Sequence, residues 1–233
     1  LVGSEMCIRD RKEISKRTLA SLLKVQQMGT RIALASGRPT YGLMPLAKIL
    51  ELGNYGGFIV SYNGCQIINA QNGEILFERR INPEMLPYLE KKAHKNGFAI
   101  FTYHDDTLLT DSPNNEHIRT EAKLNNLKII KEEDFSIAID FAPCKCMLVS
   151  DDEEALTGLE EHWKRRLNGT LDVFRSEPYF LEVVPCGIDK ANTLGALLSH
   201  LNITREEVIA IGDGVCDVNM LQIAGLGIAL SLI

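Results

Sequence analysis

The sequence predicts an α/β fold, a largely parallel sheet with helices on both faces, interrupted by an inserted α+β module. Three observations carry this. Helix-patterned and strand-patterned segments alternate before Cys65 and again after Pro185, which is the rhythm of strands joined by helical crossovers. Between about Ile81 and Val184 the pattern changes to a mixture of helices and strands, so the sheet domain is split in sequence. The chain of 233 residues, 45% hydrophobic and 24% charged, is long enough to bury a sizeable core.

Taken in order, "TLASLLKVQQMG" (Thr18 to Gly29) has apolar residues at helical spacing and a closing Gly, and "RIALASGRP" follows as a short buried strand ending in a turn. "TYGLMPLAKILELG" reads as a helix interrupted by Pro45, and "GGFIVSYNG" as the next strand. "CQIINAQNGEILFERRI" is two alternating runs joined by Asn72-Gly73, a hairpin signal. The middle module contains helices such as "NPEMLPYLEKKAHKNG" and "EEALTGLEEHWKRRLNG" and strands such as "FAIFTYH", "CKCMLVS" and "YFLEVV". After Pro185 come the helix "DKANTLGALLSHLN", the strand "EEVIAIGDG", the helix "DVNMLQIAG" and the strand "LGIAL". Thr204 and Glu207 have capping-box spacing, consistent with one helical turn feeding the strand.

The net charge of −6 argues against a nucleic-acid partner and fits a cytoplasmic enzyme of small metabolites. Apolar runs fall short of a membrane span, and six scattered cysteines without a secretory leader read as free thiols in a reducing compartment. Cys144 and Cys146 are expected to share one face of a strand as buried thiols. Nothing in the pattern bears on oligomeric state.

"VIAIGDGVCDVNML" places Asp213 at the carboxyl end of a strand and Asp217 near the start of a helix. In open α/β sheets ligands bind at that edge, and an aspartate there can hold a hard cation such as Mg²⁺. Ser36, at the end of "IALAS", and Lys190, at a helix start, are brought to the same edge by the topology. A hydroxyl, an ammonium and a carboxylate suit a phosphate and its metal: Ser36 and the Gly37 amide donate to phosphate oxygens, Lys190 neutralises charge, and Asp213 anchors the cation. Each residue also has a plainer reading, with Ser36 or Asp217 as helix N-caps, Asp213 and Asn63-Gly64 as turn residues, and Lys190 as a solvated side chain.

"ALASGRP", the "NG" after a strand, "YFLEVVPCGIDKANTL" and "IAIGDGVCDVNML" together resemble the second, third and fourth motifs of the haloacid dehalogenase-like phosphatases, specifically the Cof-type subfamily with a class IIB α+β cap. The resemblance runs from about Lys12 to Ala229. It implies a Rossmann-like core at residues 12–80 and 185–229 and a cap domain at 81–184. It also implies a Mg²⁺-dependent phosphohydrolase of small phosphorylated metabolites, such as sugar phosphates, working through an aspartyl-phosphate. On that resemblance Ser36, Lys190 and Asp213 are the catalytic residues present, with Ser36, Gly37, Arg38, Asn63 and Lys190 binding phosphate or substrate. Asp213 and Asp217 form the metal site. A non-catalytic binder of phosphometabolites and a sugar phosphomutase are the alternatives.

The sequence departs from the family pattern at two places. Cys216 stands where the family has Asn, replacing an amide donor by a weak one. The first motif, Asp-x-Asp-Gly-Thr, which supplies the nucleophile and the general acid/base, does not occur; "LVGSEMCIRDR" stands in its place. Read as codons, "LVGSEMCIRD" and the terminal "LSLI" resemble a sequencing-library transposase adapter and its reverse complement. Residues 1–11 and 230–233 are accordingly expected to be foreign, the first strand and the C-terminal end of the core to be missing, and the fragment to be inactive and poorly folded.

Overall fold

The computed structural model describes residues 2–4 and 14–230. The chain forms two compact units, Leu1–Glu78 with Asp189–Ile233, and Arg79–Ile188. The second unit runs four residues beyond the sequence-derived boundary at 184. The cause is that Pro185 still pairs with Leu171 and the Cys186 amide donates to the Thr170 carbonyl at 3.3 Å.

The first unit begins with β1 (Val2–Ser4), α1 (Lys16–Gln27), β2 (Ala33–Ala35), α2 (Thr40–Ile49), β3 (Phe58–Ser61), β4 (Gln66–Asn69) and β5 (Ile75–Glu78). The second unit contributes α3 (Leu86–Lys95), β6 (Ala99–His104), β7 (Thr107–Thr110), α4 (Glu116–Leu124), β8 (Lys128–Lys131), α5 (Phe135–Ala138), β9 (Cys146–Val149), α6 (Glu153–Arg166), β10 (Leu171–Glu177) and β11 (Phe180–Pro185). The chain then re-enters the first unit with α7 (Lys190–Leu201), β12 (Ile209–Gly212), α8 (Val218–Ile223) and β13 (Leu226–Ala229).

Local chemistry sets these boundaries. Ser15 caps α1, its hydroxyl accepting the Thr18 amide at 3.0 Å. Pro45 lies inside α2 rather than ending it. The β4–β5 turn is closed by Gly73 in the left-handed region (φ 74°), as the Asn-Gly pair predicts. Thr204 and Glu207 form the expected capping box, on a 3-10 turn before β12.

The first sheet has the order β13-β12-β1-β2-β3-β4-β5, parallel from β13 to β3 and antiparallel across β3, β4 and β5. Alternate residues divide between its faces. Ala33, Ala35, Phe58 and Val60 pack in one cluster with Leu194 and Leu197 of α7 and Met220 of α8. Ile32, Leu34 and Ile59 pack in another with Leu43 and Ala47 of α2 and Leu19 and Leu22 of α1. Both faces are therefore covered by helices.

The central position of this sheet corrects the sequence reading, which left it empty. Val2 and Gly3 pair with Ala210 and Ile211 of β12, and Val2, Gly3 and Ser4 with Ala33, Leu34 and Ala35 of β2. A slot between two parallel strands is satisfied by backbone groups, which any short extended segment supplies, so "VGS" closes it although it carries no family motif. Val2 is buried in the sheet core. At the other end, the Leu230 amide continues the ladder to the Gly212 carbonyl at 2.8 Å. The remaining residues expected to be foreign, 1, 5–11 and 231–233, lie outside the described residues.

The second unit carries a six-stranded sheet of order β10-β11-β9-β6-β7-β8, antiparallel except for the parallel β7–β8 pair. One face packs Ile100, Leu148 and Val183 against Leu89 of α3, Phe135 of α5 and Trp163 of α6. Cys144 and Cys146 are both buried, and burial pushes the Cys146 thiol up to about 12.

Candidate active site

Three loops at the carboxyl ends of β2, β3 and β12, together with the start of α7, build the site in the first unit. The strands β12, β1, β2 and β3 are parallel, so these ends fall at one edge of the sheet.

The first loop follows β2. Ser36 is fully buried, its amide donates to the Val60 carbonyl at 2.9 Å, and its hydroxyl accepts the Arg38 amide at 3.0 Å. It is a turn former: the residue at the N-cap of α2 is Pro39, which makes no side-chain cap bond. The Asn63 amide donates to the Ser36 carbonyl at 3.0 Å and the Tyr62 amide to the Arg38 carbonyl at 2.9 Å, which staples this loop to the next. Gly37 leaves room there for the Asn63 side chain, which would have to move from a Cβ standing 2.7 Å from its Oδ1. Tyr62 and Asn63 both adopt left-handed backbone (φ 52° and 59°), a costly conformation that marks this as more than a plain turn.

Asp189 caps α7 by accepting the Asn192 amide at 2.6 Å, which starts the helix at Lys190. Lys190 is buried, with its Nζ donating to Asp217 Oδ1 at 2.6 Å and lying 3.7 Å from Cys216 Sγ. One turn along, the Thr193 hydroxyl donates to the Gly64 carbonyl at 2.9 Å. Sequence reasoning gave Thr193 no role, although it lies within the quoted stretch "YFLEVVPCGIDKANTL" three residues after Lys190; its burial singles it out. Thr193→Val is expected to leave that carbonyl unsatisfied and to lower stability by about 1–3 kcal/mol in urea denaturation.

The structure gives the two acids of "GDGVCD" different work. Asp217 is fully buried, and its Oδ2 accepts the Asp213 amide at 3.2 Å and the Gly214 amide at 3.1 Å while Oδ1 takes Lys190. Burial raises its pKa, but the Lys190 ammonium and these amides outweigh that and hold it below the usual aspartate value. Its carboxylate organises the loop rather than capping α8. Gly212 allows the approach, since a Cβ there would lie 2.7 Å from Asp217 Oδ2. The side-chain oxygens of Asp213, by contrast, are buried and have no hydrogen-bond partner among the described residues. Burial, then the neighbouring Asp217 charge, push the Asp213 carboxyl above its usual value.

The sequence-predicted residues thus join one network. Ser36 bonds to Asn63 through the main chain, Gly64 to Thr193, and Lys190 of the same helix to Asp217, which holds Asp213. Gly37 and Arg38 lie in the same loop as Ser36, half-buried. Lys190 is paired with Asp217, not solvated.

A carboxylate with buried oxygens and no partner among the described residues is a place that a cation can fill. Asp213 and its surroundings fit Mg²⁺, which binds through one or two carboxylates and completes its shell with waters and phosphate oxygens. Among the described residues no group of three or more His, Cys, Asp or Glu side chains is placed to hold a metal by itself. No described helix is long and apolar enough to cross a membrane.

A parallel sheet flanked by helices, split in sequence by an α+β unit, with Ser, Lys and Asp side chains at its carboxyl edge, defines an α/β protein whose ligand-binding edge lies in the first unit. The sequence profile of the haloacid dehalogenase-like hydrolases matches residues 7–231, and the chain belongs to that family. It is 43% identical to a haloacid dehalogenase-like hydrolase from Bacteroides thetaiotaomicron, with a TM-score of 0.93 over 98% of this chain and 86% of that one. The HMP-PP phosphatase of Cronobacter sakazakii is 26% identical over 94% of this chain and 78% of its own length. The chloroplastic endoribonuclease YBEY of Arabidopsis thaliana is 26% identical over 96% of this chain, which spans 39% of that longer protein. A solved subclass IIB sugar phosphatase, 19% identical, shares the fold with a TM-score of 0.77 over 98% of this chain and 86% of the other.

Proposed function

We propose that the first unit is the core of a Mg²⁺-dependent phosphatase of phosphate monoesters of small metabolites, such as sugar phosphates, which works through an aspartyl-phosphate when an Asp-x-Asp-Gly-Thr motif supplies the nucleophile and which, as this chain stands, has no nucleophile. The observation that carries this reading is the carboxylate of Asp213, its oxygens buried and without a partner among the described residues, beside the Lys190–Asp217 pair. The subclass IIB sugar phosphatase and HMP-PP phosphatase likenesses support the substrate class. Ser36 and the Gly37 amide bind the phosphoryl oxygens, Lys190 brings a positive charge already oriented by Asp217, and Asn63 contacts the substrate at the loop edge. Asp213 holds the cation, with Asp217 fixing the loop that presents it. Bound Mg²⁺ supplies charge neutralisation at the transferring phosphoryl group.

A second reading rests on one observation. The central strand Val2–Ser4 carries no carboxylate, and no Asp-x-Asp-Gly-Thr occurs in the sequence. In this form the chain binds phosphate and metal without turnover.

The test of the metal assignment needs no activity. Mg²⁺ is expected to raise the Tm of the chain, and Asp213→Asn to abolish that shift. Because the folded-state pKa of Asp213 is raised, ionising it penalises the folded state, and the penalty is present above the unfolded value and vanishes as pH falls through it. Without metal, Asp213→Asn is therefore expected to be more stable than the parent at pH 7, about 3 units above the ordinary aspartate pKa, and equal to it in acid. An unchanged Mg²⁺-induced shift in the variant means that Asp213 is misassigned.

A further inference from the structure

A row of side-chain hydrogen bonds joins the Ser36 loop to the last residue before the chain leaves the first unit. The Thr40 hydroxyl oxygen, at the start of α2, stands 2.6 Å from the Ser61 hydroxyl and 2.6 Å from Gln66 Oε1, and Gln66 Nε2 donates to Glu78 Oε1 at 2.6 Å. Ser61 is fully buried, Gln66 is buried, and Thr40 and Glu78 are half-buried.

Counting protons fixes every direction. A carboxylate oxygen accepts, so the Gln66 nitrogen faces Glu78 and its oxygen faces Thr40. That oxygen takes the one hydroxyl proton of Thr40, so the Ser61 hydroxyl donates to Thr40. All three donors point the same way, from Ser61 towards Glu78, and bonds aligned in this way polarise one another.

The row bridges the two loops of the proposed phosphate site. Thr40 ends the segment Ser36–Pro39, and Ser61 begins the segment holding Tyr62 and Asn63, whose amides donate to Arg38 and Ser36. Side chains of similar size without polar atoms would fill the same space with no bonds to satisfy. What the polar row adds is a single geometry.

We propose that Gln66, acting with Thr40, Ser61 and Glu78, is a positioning residue that sets the spacing of the Ser36 and Asn63 loops around a bound phosphoryl group. This rests on the phosphate-site reading above. Gln66 itself need not touch the ligand; it acts through the two loops it spaces.

The test is calorimetric titration of the whole chain with inorganic phosphate in the presence of Mg²⁺, with Tm measured in parallel. Gln66→Leu is expected to weaken phosphate binding about tenfold, the scale of one lost hydrogen bond. Glu78→Gln keeps an acceptor for Gln66 Nε2 and is expected to stay within about twofold of the parent. Thr40→Val, at a half-buried position, is expected to weaken binding as Gln66→Leu does and serves if that variant does not fold. Phosphate affinity equal to the parent in Thr40→Val or in folded Gln66→Leu, whatever happens to Tm, overturns the proposal. Failure of the parent itself to bind phosphate instead overturns the phosphate site, and the inference with it.

Discussion

Replacing Lys190 by Met is expected to lower stability at neutral pH by about 3–5 kcal/mol, the cost of leaving a buried charge without its partner. Asp217 is fully buried, and it would keep the amides of Asp213 and Gly214 and the weak Cys216 thiol donor at 3.9 Å. The pH dependence distinguishes this from a simple packing loss. With Lys190 present the Asp217 carboxyl lies below its usual value, so its contribution is present above the unfolded pKa and is lost as pH falls through the folded one. With Met at position 190 only neutral donors face the burial penalty, and protonating Asp217 relieves the unpaired charge. The difference between parent and variant should therefore narrow below about pH 4. Urea denaturation at neutral and acid pH measures it, and a pH-independent difference would mean that the pair carries no charge. Phosphate binding should be lost in the same variant even under conditions where it is folded.

The second large effect concerns the nucleophile. This chain is expected not to turn over p-nitrophenyl phosphate, because covalent phosphoryl transfer has no acceptor. Placing Asp-x-Asp-Gly-Thr directly after Ser4 puts the first Asp next to the residue in register with Ala35, which precedes Ser36. Turnover that requires Mg²⁺ is then expected, with an acceleration on the order of 10⁶ or more over the uncatalysed reaction. Turnover by the unaltered chain at a comparable rate would show that another residue attacks phosphorus. Product analysis with a sugar phosphate separates hydrolysis from return of the phosphoryl group to the sugar.

Much of the first unit was legible because its signals are local. The Asn72-Gly73 turn, the Thr204–Glu207 box and the Gly-Asp-Gly stop after β12 each act within a few residues, and each has the expected geometry. The short strands β7 and β8 were not individually legible, since runs of four such as "TLLT" and "KIIK" show no more than two alternations and take their identity from pairing with each other. The closing of the central slot by "VGS" was misread for the complementary reason, that strand pairing is set by neighbouring backbones more than by side chains. At the site, the residue types were legible and their division of labour was not. That Asp217 is occupied and Asp213 is not depends on Lys190, 27 residues away in sequence. The Thr40–Gln66–Glu78 row joins residues 26 and 12 apart, beyond any local pattern.

The split of the first unit has a consequence for how the chain is made. Val2 pairs with Ala210, so β1 obtains its β12 neighbour only after the chain has been synthesised as far as β12. Residues 79–188, uninterrupted in sequence, have all emerged from the ribosome by then and can condense first. Until that late return, the flank of β1 facing β12 is an open edge, and the nascent chain is most exposed to wrong pairings during that interval.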